Sequence, residues 1–189
     1  AVLRLLGIET TVDLICYQGR TVRVGCFPIS IDSASFVAKA EEPDVLEQIT
    51  ELRKNVPPGG HLILCIDRLD YTKGIPNHFK AMERFLENEP ESREKVQLIQ
   101  VAVPSRTEVQ KYIEFRDTVD ELVGRINGVH GTASWSPIKY IYRGLPQAQV
   151  IALYAAADVM LVTPIRDGMN LVSKEYVVCR KENTGVLIL

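Results

Sequence analysis

Apolar residues fall along this chain in short uninterrupted runs, separated by stretches with a helical repeat. His61 to Ile66 (HLILCI) is a continuous run, as in a strand covered on both faces of a parallel sheet. After the polar stretch Asp67 to Gly74, Phe79, Met82, Phe85 and Leu86 share one helical face, so the spacing predicts a helix from Asn77 to Glu89. Val96 to Val103 (VQLIQVAV) reads as the next strand, stopped by Pro104-Ser105. Arg106 to Asn127 reads as a long charged helix with Val109, Tyr112, Ile113, Val119, Leu122 and Val123 inward. Gly128, Gly131, Ser134 and Pro137 mark a loop. Strand Ile138 to Tyr142, helix Gln147 to Ala157, strand Val159 to Val162, a helix from Asn170 and a last strand Gly185 to Leu189 complete the pattern. Strands alternating with crossover helices predict an α/β fold: a Rossmann-like open parallel sheet with helices on both faces.

The residues before Pro57-Pro58-Gly59-Gly60 follow a different pattern. Val12 to Tyr17 and Thr21 to Phe27 are strand-prone and flank Gln18-Gly19-Arg20, which predicts a hairpin. A short helix, Ser33 to Ala40, and a second from Val45 to Asn55 follow, separated by Glu41-Glu42-Pro43-Asp44. The length suits one α/β domain, or one domain plus a fragment of another, and the expected division is residues 1–30 as the fragment and 31–189 as the α/β domain. The chain opens without an initiator Met and stops on an apolar strand, so it is expected to be a fragment cut at both ends.

Composition narrows the class. The chain has 189 residues, 46% of them hydrophobic, and a formal net charge of -2, which supports a real core and argues against a general nucleic-acid binder. No apolar run approaches the ~20 residues of a membrane helix, and no signal peptide is visible. Cys16, Cys26, Cys65 and Cys179 form no CxxC pair, so they read as buried thiols in a reducing, cytoplasmic setting, with no metal implied. His61, His78 and His130 have no partner for triad chemistry and read as structural or solvated. Trp135, Tyr140, Tyr142 and Tyr154 read as packing. Neither GxxxxGK[ST] nor GxGxxG occurs, against kinases and dehydrogenases.

Three loops at strand ends carry unusual charge. Arg68 and Lys73 flank a turn closed by Gly74, and two cations there suit a diphosphate; an Arg68 paired locally with Asp67 or Asp70 suits the residues as well. Arg106 falls at a predicted helix start, where the dipole disfavours a cation, so a bound anion or a local carboxylate such as Glu108 is expected. Asp167 and Glu175 flank a third helix start, with Lys174 between them. Their carboxylates would be repelled by phosphate but can each accept two hydrogen bonds from sugar hydroxyls. One hexose, one ribose and a diphosphate between them make a nucleotide-sugar site; an ordinary acidic first turn is the alternative.

The segments DRLDYTKGIPNHFKAMERFL, VPSRTEVQKY, GRINGVHGTASWSPIKYIYR and DVMLVTPIRDGMNLVSKEYV resemble the trehalose-6-phosphate synthases, retaining glucosyltransferases of the GT-B architecture, in the family's order from about Arg20 onward. The resemblance implies transfer of glucose from UDP-glucose to glucose 6-phosphate, giving α,α-trehalose 6-phosphate and UDP, in the pathway of trehalose biosynthesis. It implies that Arg68 and Lys73 hold the donor diphosphate and that Arg106 reaches the acceptor phosphate. Asp167 would hold the donor glucose hydroxyls, and Arg68, Lys73 and Asp167 would form the catalytic group. Gly168, Met169 and Asn170 would pack on sugar and diphosphate, Leu171 and Val172 would contact the diphosphate by backbone, Glu175 would bind ribose and Leu145 would meet the uracil ring by backbone.

The family's mechanism is front-face displacement, in which the leaving phosphate oxygen deprotonates the incoming hydroxyl, so no cofactor and no metal are implied. Expected partners are the two small-molecule substrates, with no nucleic acid and no membrane, and with homo-oligomerisation or fusion to a phosphatase domain as the family's further options. Most of the amino-terminal acceptor lobe and the final helical segment are absent, so the 189 residues are expected to be inactive alone. A relative using glycerol 3-phosphate, a non-catalytic regulatory homologue, and an ADP or GDP donor remain open at this point.

Overall fold

A computed structural model describes residues 13–25, 27–57, 59–181 and 184–189. The chain divides into two compact units, residues 1–30 and 31–189. In the first, β1 (Leu14–Tyr17) pairs antiparallel with β2 (Arg20–Arg23). Gln18 and Gly19 take φ of 50° and 72°, the double left-handed turn whose twist matches a two-residue hairpin. Pairing stops at Arg23, short of the expected Phe27.

The second unit opens with α1 (Ser33–Ala40) and α2 (Pro43–Lys54). Asp32 caps α1 by accepting the Ser35 N–H at 3.1 Å, and Pro43 starts α2, where its missing N–H costs nothing. Then come β3 (His61–Arg68), α3 (Ile75–Asn88), β4 (Val96–Val103), α4 (Gln110–His130), β5 (Ile138–Ile141), α5 (Gln147–Ala156), β6 (Val159–Leu161), α6 (Val172–Cys179) and β7 (Val186–Ile188). The five strands pair in parallel in the order β5-β4-β3-β6-β7. β3 and β4 lie in full register from His61 opposite Val96 to Arg68 opposite Val103, which extends β3 two residues past its apolar run.

Helices cover both faces. Val45, Ile151, Tyr154, Met160 and Tyr176 form one core under α1, α2, α5 and α6. Cys65, Phe79, Met82, Leu86, Leu98 and Ile126 form the other under α3 and α4.

Three further expectations change. The helix expected from Arg106 begins at Gln110, because Arg106 takes φ 48° and turns the chain before it can wind. The same helix runs on through Gly128 to His130, so Gly128 and His130 are helical rather than loop residues. Of the thiols, Cys65 and Cys179 are buried but Cys16 is exposed on the hairpin; Cys26 lies outside the described residues.

Candidate functional site

The strand order places a topological switch between β3 and β6. These strands are neighbours, yet the chain leaves β3 for α3 on one face and leaves β6 for α6 on the other. The two loops therefore diverge and leave a crevice at the carboxyl ends of the strands, the ligand position of open α/β sheets. A cleft of about 350 Å³ opens there, lined by Ile66, Asp67, Arg68, Lys73 and Val103 on one side and Asp167, Met169, Asn170, Leu171 and Val172 on the other.

Local chemistry sets each wall. Asp70 is 9% exposed and nucleates the turn after β3: Oδ1 accepts from Thr72 N at 2.9 Å and from Thr72 Oγ1 at 2.7 Å. The resulting 3-10 turn, Tyr71–Lys73, aims Lys73 into the cleft. Gly74 closes it at φ 73°, a left-handed position in close approach to the Thr163 carbonyl, where a Cβ would stand 3.3 Å from that oxygen. On the other wall Asn170, just before α6, accepts the Ser173 N–H at 2.9 Å and so satisfies one of the free donors of the helix's first turn.

Lys73 and Asp167, contributed by different loops, meet at 2.7 Å. Asp167 also accepts from Gly168 N at 2.8 Å and Asn170 Nδ2 at 3.1 Å. The Lys73 hydrogen bond, against burial and with help from Asn170 and Gly168, holds the Asp167 carboxyl down at about 2. Lys73 keeps two further N–H donors. Arg68 is exposed at the carboxyl end of β3.

Beneath the cleft runs a buried polar chain. Gln100 gives its amide N–H to Val101 O at 3.2 Å and, more weakly, to Asp67 Oδ2 at 3.5 Å. Its amide oxygen therefore accepts from His78 Nδ1 at 3.0 Å, and His78 Nε2 meets Thr163 Oγ1 at 3.0 Å. Burial pushes the Asp67 carboxyl up, against the pull of His78, Gln100 and Lys73. This chain ties the carboxyl end of β3 to the loop after β6 through Gln100 of β4 and His78 of α3.

The remaining residues singled out from the sequence lie outside that cleft. Arg106 is no helix-start residue: it precedes α4 by four positions, in a left-handed conformation that costs about 1–2 kcal/mol. Its guanidinium donates to Tyr112 Oη at 2.9 Å and lies 5.5 Å from that ring's centroid, while Tyr112 donates to Asp70 Oδ2 at 3.0 Å. Burial would raise the Asp70 carboxyl, but the bonds from Thr72 and Tyr112 bring it below its ordinary value. Glu175, in the first turn of α6, accepts from the buried Tyr154 hydroxyl at 2.7 Å. Leu145 lines a separate, mainly apolar recess of about 270 Å³ with Leu52, Ile141, Arg143 and Leu153. The Gly168 N–H is committed to Asp167.

Sequence reasoning gave Asp67 and Asp70 no role beyond pairing with Arg68, read Tyr112 and Tyr154 as packing, and gave Gln100 no role. Two signals were available. Gln100 is a polar residue inside an apolar buried strand, which must find partners, and Asp70-Tyr71-Thr72 is an Asx-turn pattern. Nothing local marks Tyr112 or Tyr154, whose hydroxyls matter only through residues brought to them by folding.

The profile of glycosyltransferase family 20 matches residues 1–189. Over 189 residues the chain is 47% identical to the 56 kDa subunit of the UDP-forming alpha,alpha-trehalose-phosphate synthase of Saccharomyces cerevisiae, covering 100% of this chain and 38% of the yeast one. It is 46% identical, again over all of its length, to a bifunctional trehalose-6-phosphate synthase/phosphatase of Thermoproteus tenax, of which it covers 26%. Among solved structures, a Burkholderia xenovorans UDP-forming synthase in complex with glucose-6-phosphate superposes with a TM-score of 0.87 at 36% identity, over 95% of this chain and 40% of that one. An Escherichia coli relative bound with UDP-2-fluoro glucose gives 0.84 at 34% identity, over 95% and 40%. The chain thus spans about a quarter to two-fifths of the relatives it matches.

Proposed function

Because the chain belongs to glycosyltransferase family 20, we propose that it forms the donor-binding part of a retaining glucosyltransferase that moves glucose from UDP-glucose to glucose 6-phosphate, releasing UDP and α,α-trehalose 6-phosphate. One observation carries the reading: the loops after β3 and β6 bring Arg68, Lys73 and Asp167 to a single switch-point cleft. In this reading residues 31–189 are the donor lobe, and residues 1–30 belong to the acceptor lobe and crossover.

Arg68 and Lys73 neutralise the diphosphate, and their charge counts most as the glycosidic bond breaks and negative charge builds on UDP. Lys73 reaches a phosphate oxygen with a free N–H while another stays on Asp167. Asp167, ionised and held by Lys73 and Gly168, offers its remaining lone pairs to glucose hydroxyls. Met169 and Asn170 close over the sugar, and the backbone of Leu171 and Val172 faces the diphosphate at the start of α6. Glu175 takes the ribose hydroxyls, oriented by Tyr154, and Leu145 meets the uracil by backbone beside the apolar recess. Arg106 binds the acceptor phosphate, positioned by Tyr112 and Asp70. The departing phosphate oxygen takes the proton of the attacking hydroxyl, so the displacement needs no protein base and no metal.

In this reading most of the acceptor half lies outside these 189 residues, so the purified chain binds UDP and UDP-glucose without turnover. The free thiols at Cys65 and Cys179 support a reducing compartment, the cytoplasm. No helix among the described residues is long and apolar enough to cross a membrane. Calorimetric titration of the chain with UDP, ADP and GDP tests the site. UDP binding that Lys73→Ala weakens by ten-fold or more is expected; a flat UDP trace from folded chain, or turnover by the chain alone, would overturn it.

A further inference from the structure

At the end of the lobe where β4 and β5 begin, opposite the cleft, α3 and α4 enclose a second cluster of ligating groups. Glu83 and Glu87 stand four residues apart on α3 and so share a face. His130 is the last residue of α4. One carboxylate oxygen from each glutamate and one His130 ring nitrogen all lie within 4.8 Å of one another.

His130 is only 7% exposed, and neither ring nitrogen has a hydrogen-bond partner among the described residues. Burying an imidazole with no partner is costly, and such a group in a native protein calls for an explanation. The surrounding charge supplies one. Arg125 donates to both oxygens of Glu83, at 2.5 and 2.9 Å, and its guanidinium also feels Glu87 and Glu121. Three carboxylates against one guanidinium leave excess negative charge. Each Glu83 oxygen retains a lone pair beyond its Arg125 bond, and Glu87 accepts no hydrogen bond among the described residues.

We propose that Glu83, Glu87 and His130 form a binding site for a divalent transition-metal ion, with Zn²⁺ as the best-matched ion. Imidazole nitrogen with two carboxylates suits zinc, which takes both ligand types at about 2.0–2.2 Å. Calcium and magnesium prefer all-oxygen shells. Water completes the coordination on the exposed Glu87 side. The ion joins the carboxyl-terminal half of α3 to the end of α4, so its role is to brace the helix pair rather than to act on substrate.

The test uses the full chain after chelator treatment. Titration with ZnCl₂ is expected to show one equivalent bound and a rise in melting temperature, with a hundred-fold excess of Mg²⁺ failing to displace it. Glu87→Gln changes one partly solvated atom and should keep the fold; it is expected to weaken Zn²⁺ binding at least ten-fold, as is His130→Ala. Co²⁺ loaded in place of zinc should give visible absorption bands that His130→Ala changes. Absence of Zn²⁺ binding would overturn the site. So would one-equivalent binding that neither variant weakens, since the ion would then sit on other residues.

Discussion

Replacing Asp167 with asparagine separates charge from shape in the cleft. The amide keeps an oxygen for the Gly168 N–H but cannot match the Lys73 ammonium, now 2.7 Å from a full charge. Folding lowers the Asp167 carboxyl from 3.8 to about 2. A depressed carboxylate stabilises the fold above its unfolded value, and that contribution is lost as pH falls from about 4 through about 2. At 1.36 kcal/mol per pH unit the upper limit is about 2.5 kcal/mol. The side chain is 21% exposed at the cleft mouth, and solvent screening brings the expected figure to about 1 kcal/mol. Urea unfolding at pH 7 should therefore show Asp167→Asn about 1 kcal/mol less stable at unchanged m-value. The gap should narrow towards pH 2.5, because below about 3.8 the unfolded carboxyl takes up a proton while the native one still keeps most of its charge. Binding gives a second reading. A carboxylate holding glucose hydroxyls contributes about 1.5–3 kcal/mol, so UDP-glucose affinity should fall by roughly ten- to hundred-fold while UDP changes little. Equal stability at pH 7, or a gap that persists undiminished at pH 2.5, would refute the electrostatic argument. Equal losses for UDP and UDP-glucose would refute the sugar assignment.

Other positions test neighbouring parts of the site. Tyr112→Phe removes the hydroxyl between Arg106 and Asp70, and denaturant unfolding should show a loss of about 1–2 kcal/mol. Tyr154→Phe leaves the Glu175 carboxylate without its 2.7 Å donor; stability should drop by about 1 kcal/mol, and UDP, which carries the ribose, should bind several-fold more weakly by calorimetry. Among the described thiols, Cys16 should be alkylated at pH 8 in folded chain. Cys65 and Cys179 should resist, because burial pushes both thiols up, Cys179 to about 12; mass spectrometry after iodoacetamide reads the difference.

Much of the fold was legible because local and global signals agree here. The run HLILCI and the strand VQLIQVAV are apolar on both faces because helices cover both sides of the sheet, and those strands stand where the pattern put them. The charged strand ends were legible too, since Arg68, Lys73 and Asp167 follow directly on apolar strands in short polar loops, with groups that need partners. Misplacement came where a single residue overrides periodicity. The left-handed Arg106 delays α4 to Gln110, and Gly128 sits inside that helix although glycine usually marks its end.

Alternating apolar runs and helical repeats, read alone, determined a parallel α/β lobe, and motif order along the chain determined its family. Those are properties of near neighbours in sequence, set by backbone geometry and burial. Which charged groups meet was decided only by tertiary structure. Lys73 and Asp167 are far apart along the chain and touch because β3 and β6 are adjacent while their helices leave to opposite faces. Tyr154 under Glu175, Tyr112 between Arg106 and Asp70, and His130 beside Glu83 and Glu87 follow the same logic. Spacing rules for cysteine and histidine pairs had pointed away from any metal site. They test neighbours in sequence, whereas ligands contributed by two packed helices become neighbours only when the core between those helices forms.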